Sequence, residues 1–328
     1  MNRTQNTRYG GEISDTLNTE HGVPQGSRLS SDLFLLYIND IVSCFKNAKL
    51  VQFADDNTIY ITCTNLADGI QKINEDLERV NQWLNLNKMK LNLSKSMCMI
   101  LNSKSKTIPA EAIKINGVVV KLVDQVKSLG MIIPKTLKMD GHVDYVIKKV
   151  AKKIGFLSRI SKQLTLQCRA TVYKSIVAPH FEYCPSILFT CNQGEMEKMQ
   201  KQQNKAMRII LRCSKYTSVQ SMLEQLNWLS VKQRIYYLTM ARIYKLKNGL
   251  LPKQICDLAT FVGDAQRYWL RNEHDFRILQ TNKVSTNNTM MINGLRCFNN
   301  LPSEIKNELN ICKFKKLILI HIKRNIKI

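Results

Sequence analysis

Residues 51–61, with the sequence VQFADDNTIYI, place two adjacent aspartates between two runs of strand-forming side chains. β-Branched and aromatic residues favour a pleated, half-buried strand. Asp-Asp-Asn in the middle is typical of a turn, so we predict a β-hairpin with Asp55 and Asp56 at its tip. Two like charges in a mostly apolar hairpin repel each other, and a divalent cation would compensate them. Mg²⁺ takes oxygen ligands and usually one or two protein carboxylates; a solvated acidic turn is the alternative interpretation.

A loop containing glycine and proline precedes this hairpin at residues 21–30, with the sequence HGVPQGSRLS. Two glycines and a proline predict a tight loop with an exposed backbone. A helical pattern follows, in which Ser30, Ser31 or Asp32 could cap the first turn. Its apolar side chains share one side: Leu33, Phe34, Leu36, Tyr37 and Ile41. Free N–H groups at such a junction can bind a phosphate or a sugar, although an ordinary loop-to-helix junction has the same composition.

Together the two segments resemble the reverse transcriptases of non-LTR retrotransposons, the jockey and LINE type. Four segments follow the order and spacing of that family's motifs B, C, D and E: residues 22–41 with GVPQGS at their start, FADD at 53–56, NLNKMKLNLSKS at 85–96 and SLGMII at 128–133. Weaker similarities lie at residues 183–185, 203–210 and 298–302. The resemblance therefore covers nearly the whole chain.

The resemblance implies an α+β fold in two parts. Residues 1–135 would form a partial reverse-transcriptase palm, a β-hairpin sheet with packed helices that carries motifs B to E. Residues 136–328 would form a basic, mostly α-helical region like the thumb and C-terminal segment of the family. The pattern changes from strands to helices between Pro134 and Asp140, which marks the predicted boundary.

Hydrophobic periodicity predicts the individual elements. Apolar residues at i, i+3, i+7, i+10 and i+14 from Ile70 predict an amphipathic helix over 68–86. Strands are predicted at 97–101, 118–122 and 126–133. Further helices are predicted at 143–157, 166–177, 196–212 and 231–246, and residues 316–322 are predicted to be a terminal amphipathic helix or a strand.

The resemblance also implies a reaction, which is RNA-directed DNA polymerisation by two Mg²⁺ ions. RNA template, DNA primer and deoxynucleoside triphosphates would be the partners. Asp55 would be the main metal ligand and Asp56 would support it, because neighbouring strand residues point to opposite faces.

Other site residues follow from the matched motifs. Phe53 and Ala54 would lie near the primer terminus, where a small alanine leaves room for the strand. Gln25 and Gly26 would contact the incoming nucleotide or the template base. Lys95 would contact a phosphate or donate a proton, with a solvated lysine as the alternative.

Motif A, which supplies a second metal-binding aspartate in this family, has no match in the chain. Asp15 is the single aspartate before Gly22, and its surroundings do not fit the motif. The family commonly has proline after the Leu-Ser or Leu-Gly of motif B, whereas Ser31 and Asp32 follow Ser30 in this chain. We therefore expect an N-terminally truncated fragment that is inactive alone. A nucleic-acid-binding remnant without catalysis and a relic without function are the alternatives.

Charge supports a polyanionic partner. The chain has 49 Lys and Arg against 25 Asp and Glu, a net charge of +24. Residues 145–181 contain eight Lys and Arg and no acidic residue, and residues 198–223 contain six more. This distribution favours nucleic acid over membrane, although such runs are also found on solvated helix faces. Ten cysteines without a Cys-x-x-Cys pair, and no apolar run near 18 residues, indicate a reduced intracellular protein of the nucleus or cytoplasm, without a membrane span.

Overall fold

The computed structural model describes residues 3–19, 22–24, 26–101, 113–265, 274–280 and 287–325, and the chain forms two compact units, Met1–Asp124 and Gln125–Ile328. Helices predominate and the sheets are small and two-stranded, so the predicted mixture of helix and strand is confirmed. In the described part of the chain, no helix is long and apolar enough to cross a bilayer.

The first unit consists of short strands around one long helix. Its helices are α1 (Ser30–Tyr37), continued by a 3₁₀ segment (Asn39–Cys44), and α2 (Leu66–Leu86). Its strands are β1 (Arg3–Gln5), β2 (Arg8–Tyr9), β3 (Glu12–Ile13), β4 (Leu17–Thr19), β5 (Lys49–Phe53), β6 (Asp56–Tyr60), β7 (Met97–Cys98), β8 (Lys114–Ile115), β9 (Val118–Val119) and β10 (Lys121–Leu122). All pairs among these strands are antiparallel except β7 with β10.

Helix α2 positions the β5–β6 hairpin. The side-chain oxygen of Asn65 caps the first turn of α2 by accepting a hydrogen bond from the Ala67 N–H. The helix matches the predicted range of 68–86 closely. Ile59 of β6 packs against Leu77 and its neighbours, whereas Leu50 of β5 packs on the cluster around Trp83. Leu50 and Ile59 are cross-strand partners, so this pair fixes which face of the hairpin is inside.

A buried carboxylate holds the loop that leads into β5. Asp76 of α2 is fully buried and accepts hydrogen bonds from the backbone N–H groups of Lys46 (3.2 Å), Asn47 (3.0 Å) and Ala48 (2.7 Å). Arg79, one turn further along the helix, forms an ion pair with it. Burial alone raises the pKa of the Asp76 carboxyl, but the three N–H donors and the guanidinium outweigh burial, and the pKa lies below its usual value.

Replacing Asp76 by asparagine is expected to lower the free energy of unfolding of the first unit by about 2–4 kcal/mol, because it leaves buried N–H donors without an acceptor and Arg79 without its partner. Hydrogen exchange of the α2 amides measures this effect. The pKa of Asp76 is lower in the folded state than in the unfolded state. Asp76 therefore stabilises the fold fully at pH values above its unfolded-state pKa, and this stabilisation is lost as the pH falls through its folded-state pKa.

Glu78→Gln is the matched control for this prediction, because Glu78 lies on the same helix and is exposed. Its effect on exchange is expected to stay within about 0.5 kcal/mol. Equal effects of the two substitutions would contradict the anchoring role of Asp76.

The second unit is a helical assembly with one hairpin at its start. The hairpin strands are β11 (Gln125–Ser128) and β12 (Met131–Pro134). The helices are α3 (Asp140–Ile160), α4 (Leu166–Val172), α5 (Ala178–Glu182), α6 (Pro185–Leu188), α7 (Gln193–Leu211), α8 (Val219–Leu226), α9 (Val231–Lys247), α10 (Lys253–Cys256), α11 (Leu295–Asn299), α12 (Ser303–Lys306) and α13 (Ile311–Asn325). Short 3₁₀ segments (Ser161–Gln163, Gly263–Ala265) and π-helical segments (Tyr173–Val177, Met290–Gly294) connect some of them.

Two apolar clusters form the core of this unit. One joins α3, α4, α7 and the start of α9 through fully buried residues such as Val150, Leu157 and Met199. The other joins α9 to the C-terminal helices and contains the stacked rings of Tyr244 and Phe314. The apolar stretch 316–322 lies within α13, so the helical alternative of the prediction is confirmed.

Packing divides the chain before the predicted boundary at 135/136. The β11–β12 hairpin belongs to the second unit, because Met131 is buried and the N–H of Ile132 donates to Nδ1 of His142 on α3. Burial lowers the pKa of His142, which keeps this nitrogen available as an acceptor. The division into a reverse-transcriptase part and a helical part at 135/136 stays a prediction.

Several predicted strands differ in extent. Residues 126–133 form two strands rather than one, because Leu129 and Gly130 both have a positive φ and reverse the chain. Residues 97–101 and 118–122 contain strands of only two residues. The structure also contains an N-terminal hairpin outside the predicted elements, β1–β4 with β2–β3 nested inside it, and Gly10-Gly11 between short strand-like runs is its sequence signal.

Candidate functional site

The tip of the β5–β6 hairpin carries the two adjacent aspartates. Phe53 pairs with Asp56 across the strands, which leaves Ala54 and Asp55 as a two-residue turn. The predicted hairpin is therefore present, but its turn lies one residue earlier than Asp-Asp-Asn suggested, and Asp56 and Asn57 belong to β6. The inward-facing pair of Leu50 and Ile59 sets this register and thereby selects the turn.

Ala54 adopts an unusual backbone conformation at this tip. Its φ is 51°, in the left-handed region that costs a non-glycine residue about 1 kcal/mol or more. Two-residue hairpin loops require such a φ at their first position, so the tight turn imposes it. The result is an alanine that presents Asp55 at the end of the hairpin without a bulky neighbour.

Both carboxylates are accessible. Asp55 and Asp56 are exposed, and no ion pair occupies either of them among the described residues. The outer face of the hairpin beside them is apolar: Phe53 is 63% exposed and Val51 is 56% exposed. Exposed aromatic and aliphatic side chains next to two free carboxylates form a surface suited to a ligand with both an apolar and a cationic or metal-bound part.

An orphaned amide lies behind the tip. Nε2 of Gln52 is buried on the inner side of the hairpin and has no hydrogen-bond partner in the described part of the chain. A buried amide without a partner costs about 1–3 kcal/mol. Nothing in the alternation of β5 distinguishes Gln52 from a solvated residue, so no sequence signal indicates its buried amide.

The loop before α1 that contains Gly22, Pro24 and Gly26, called the glycine loop below, is closed by its own contacts. Ser30 donates a hydrogen bond from Oγ to the carbonyl of Pro24 (2.6 Å), and Gly26 is exposed with a φ of 86°. Helix α1 starts at Ser30, and Leu29 at its N-cap position makes no side-chain cap. The predicted capping by Ser30, Ser31 or Asp32 is therefore wrong, because Ser30 uses its hydroxyl to close the loop.

The apolar side predicted for the following helix is only partly buried. Leu33, Leu36 and Tyr37 are exposed, Phe34 is half-buried, and Ile41 in the 3₁₀ segment is buried. Lys95 is exposed in a turn after α2. In the described ranges, no hydrogen bond or ion pair joins Gly26 or Lys95 to the hairpin tip, and Gln25 lies outside the described residues.

The donor set at the tip fits part of a magnesium site. Two exposed carboxylates are the number that Mg²⁺ usually takes from a protein, with water or substrate phosphates completing its shell. In the part of the chain that the structure describes, no group of three or more His, Cys, Asp and Glu side chains is placed to hold a metal ion. A pair of ions would therefore need a further acidic ligand from elsewhere.

Comparison with known proteins gives a consistent result. Residues 4–133 match the family model "Reverse transcriptase (RNA-dependent DNA polymerase)". The chain is 31% identical over 214 residues to the probable RNA-directed DNA polymerase from transposon X-element of Drosophila melanogaster, covering 63% of this chain and 23% of that protein. It is 22% identical over 199 residues to the RNA-directed DNA polymerase from mobile element jockey of the same species, covering 58% of this chain and 22% of that protein.

A third relative is the Pol polyprotein from type-1 retrotransposable element R1 of Bradysia coprophila, which is 25% identical over 173 residues and covers 51% of this chain and 17% of that protein. The chain thus spans less than a quarter of the length of these three relatives. No solved structure matches it. The resemblance that the motifs suggested is confirmed: residues 4–133 match the reverse transcriptase family, and the chain is similar to RNA-directed DNA polymerases of non-LTR retrotransposons over about 60% of its length.

Proposed function

We propose that this chain supplies part of the polymerase of a non-LTR retrotransposon, with the hairpin tip as its half of the nucleotidyl-transfer site. The observation that carries the proposal is the pair of accessible carboxylates at the hairpin tip, Asp55 in the strained two-residue turn and Asp56 at the start of β6, inside residues 4–133. Strained backbone is more frequent at functional sites than elsewhere. RNA template, DNA primer and deoxynucleoside triphosphates are the proposed partners.

Asp55 is the proposed main metal ligand and Asp56 its supporting carboxylate. Bound Mg²⁺ ions would activate the primer 3′-hydroxyl and stabilise charge on the attacking and leaving oxygens. Phe53 lies beside Asp56 on the exposed outer face, where its ring can pack against the primer terminus. Ala54 keeps the space above the turn open for the strand.

The glycine loop and Lys95 are proposed to bind substrate. Gly26, with its left-handed backbone and exposed position, lets a nucleotide approach the loop closely, and Gln25 is its neighbour in the sequence. Lys95 would contact a phosphate. Residues 1–135 would correspond to part of the palm, and residues 136–328 to the thumb and C-terminal region.

Primer extension by the chain alone is expected to be absent. One hairpin with two carboxylates does not hold two metal ions without a further acidic ligand. With an RNA template, an annealed DNA primer and Mg²⁺, the product formed by residues 1–328 should not exceed that of the Asp55→Ala variant. The X-element polymerase serves as the positive control, and extension above the Asp55→Ala background would contradict the need for a further ligand.

Nucleic-acid binding without catalysis is the second candidate, and the distribution of charge favours it. Residues 125–328 contain 35 Lys and Arg against 12 Asp and Glu, a net charge of +23, whereas residues 1–124 contain 14 against 13, a net charge of +1. Nearly all of the excess positive charge therefore belongs to the helical unit. A unit with this charge attracts the phosphate backbone whether or not the chain catalyses a reaction.

A further inference from the structure

We propose that a cationic groove between α3 and α7 binds the phosphate backbone of one nucleic-acid strand. The groove lies outside residues 4–133, which match the reverse transcriptase family. The inference rests on the proposed nucleic-acid function of the chain and assigns it a specific surface.

Helix α7 contributes a stripe of positive charge. Lys198, Lys201, Lys205 and Arg208 follow each other at i, i+3, i+7 and i+10, so they share one face of the helix. The stripe is about 15 Å long at 1.5 Å per residue. Successive phosphates of one strand are about 3.4 Å apart along a duplex axis, so a stripe of this length meets several of them.

Helix α3 forms the other wall of the groove. The two helices run in the same direction, because Asp144 pairs with Lys198 (3.2 Å) near their starts and Arg212 donates to the carbonyls of Ser161 (3.0 Å) and Lys162 (3.1 Å) near their ends. Between them is a cavity of about 500 Å³ lined by the stripe and by Asp144, Ile147, Gln202 and Asn204.

Two small residues continue this face of α3 beyond the lining of the cavity. Ala151 and Gly155 follow Asp144 at i+7 and i+11, so they lie on the same face of α3. Ala151 is exposed, and a Cβ atom added at Gly155 would meet open space. A polymer backbone can therefore approach this face of α3 without displacing a side chain.

The positive charge of the groove is largely uncompensated. Asp144, the one acidic residue lining the cavity in the described part of the chain, already pairs with Lys198. Lys201 and Lys205 are exposed and carry no ion pair there. Nε of Arg208 is buried without a hydrogen-bond partner among the described residues. That Nε atom is itself inaccessible, but Arg208 also lines the cavity, where the remaining N–H groups of its guanidinium can bind phosphate oxygens.

A charge-matched pair of variants tests the groove. Lys201→Gln/Lys205→Gln removes two charges from the stripe, and Lys315→Gln/Lys316→Gln removes two exposed charges from α13. Fluorescence anisotropy with a single-stranded DNA, a single-stranded RNA and an RNA–DNA hybrid, each of the same length, measures the dissociation constant between 50 and 200 mM KCl. Circular dichroism checks that both variants are folded.

The groove variant is expected to bind at least about tenfold more weakly at 100 mM KCl. Its slope of log affinity against log salt should fall in magnitude by about 1.4 for a single strand and about 1.8 for a duplex, the loss of two phosphate contacts. The α13 variant should change affinity less than about threefold. Ala151→Glu, which places a negative charge in the groove, should weaken binding without removing a cation.

Equal losses of binding affinity in the two double variants would overturn the proposed groove and would indicate a general effect of charge. Polyglutamate that competes as well as single-stranded DNA at equal charge would also overturn it, in favour of an acidic protein partner. If the unaltered chain binds none of the three probes, the nucleic-acid function itself fails. If the unaltered chain binds and the groove variant behaves like its control, only the groove fails.

Discussion

Raising KCl from 50 to 200 mM is expected to weaken RNA and DNA binding by this chain by about 10³-fold or more. Each phosphate neutralised by Lys or Arg releases a counterion, and six to ten such contacts give about 10³- to 10⁵-fold over this range. A net charge of +23 in residues 125–328 is sufficient for that number of contacts. Anisotropy titrations at four or five salt concentrations measure the slope.

A peptide nucleic acid of the same sequence is the control, because it has the bases without the phosphates. It should bind weakly at every salt concentration. Affinity for RNA and DNA that stays flat between 50 and 200 mM would contradict a backbone-directed interaction and would remove the nucleic-acid-binding candidate.

Local patterns predicted the elements with strong periodicity. Helix α2 was predicted within two residues at its start because its apolar residues repeat along one face and Asn65 caps it. The hairpin around Asp55 was predicted because strand-forming residues flank a turn. The position of the turn was not predicted. It depends on the register of the strands, which is set by the contacts of Leu50 and Ile59 with α2, and such tertiary contacts cannot be inferred from the local sequence.

Tertiary contacts account for the other differences. Ser30 closes the glycine loop rather than capping α1, because the Pro24 carbonyl offers its hydroxyl a nearby acceptor. In the sequence, nothing distinguishes Asp76 from the other acidic residues of α2. Its hydrogen bonds with three backbone N–H groups are visible only in the folded chain. The β11–β12 hairpin packs with the helices that follow it, whereas the change from a strand pattern to a helix pattern lies between Pro134 and Asp140.

The candidate site was predicted in part. The motif resemblance identified Asp55 and Asp56, and their accessibility at the tip is compatible with metal binding. The resemblance could not indicate that Gln52 leaves a buried donor unsatisfied behind the tip, because that depends on packing. Assignments of Gly26, Gln25 and Lys95 to substrate stay predictions.

Primer extension by a chimera is expected to depend on Asp55. In the chimera, the part of this chain that aligns with the X-element polymerase, over 214 residues, replaces its counterpart, and the X-element polymerase supplies the rest of the enzyme. Removing a ligand of the catalytic metals forfeits several kcal/mol of transition-state stabilisation, and each 1.4 kcal/mol is about tenfold in rate. Asp55→Asn should therefore lower extension by at least about 10³-fold.

Two further variants provide comparisons for the loss of primer extension in Asp55→Asn. Asp56→Asn should cost about 10- to 100-fold, as expected for a carboxylate that supports a ligand. Asp15→Asn, an exposed aspartate of the N-terminal hairpin region, should change extension less than about threefold.

The rate of Mg²⁺-dependent primer extension by this chimera, with Asp55 intact and with Asp55→Asn, tests most directly whether the hairpin tip is half of a polymerase metal site. We predict extension by the chimera with Asp55 and a loss of at least about 10³-fold without it. A folded chimera that extends equally well with asparagine at position 55, or that does not extend with Asp55 intact, would contradict the account.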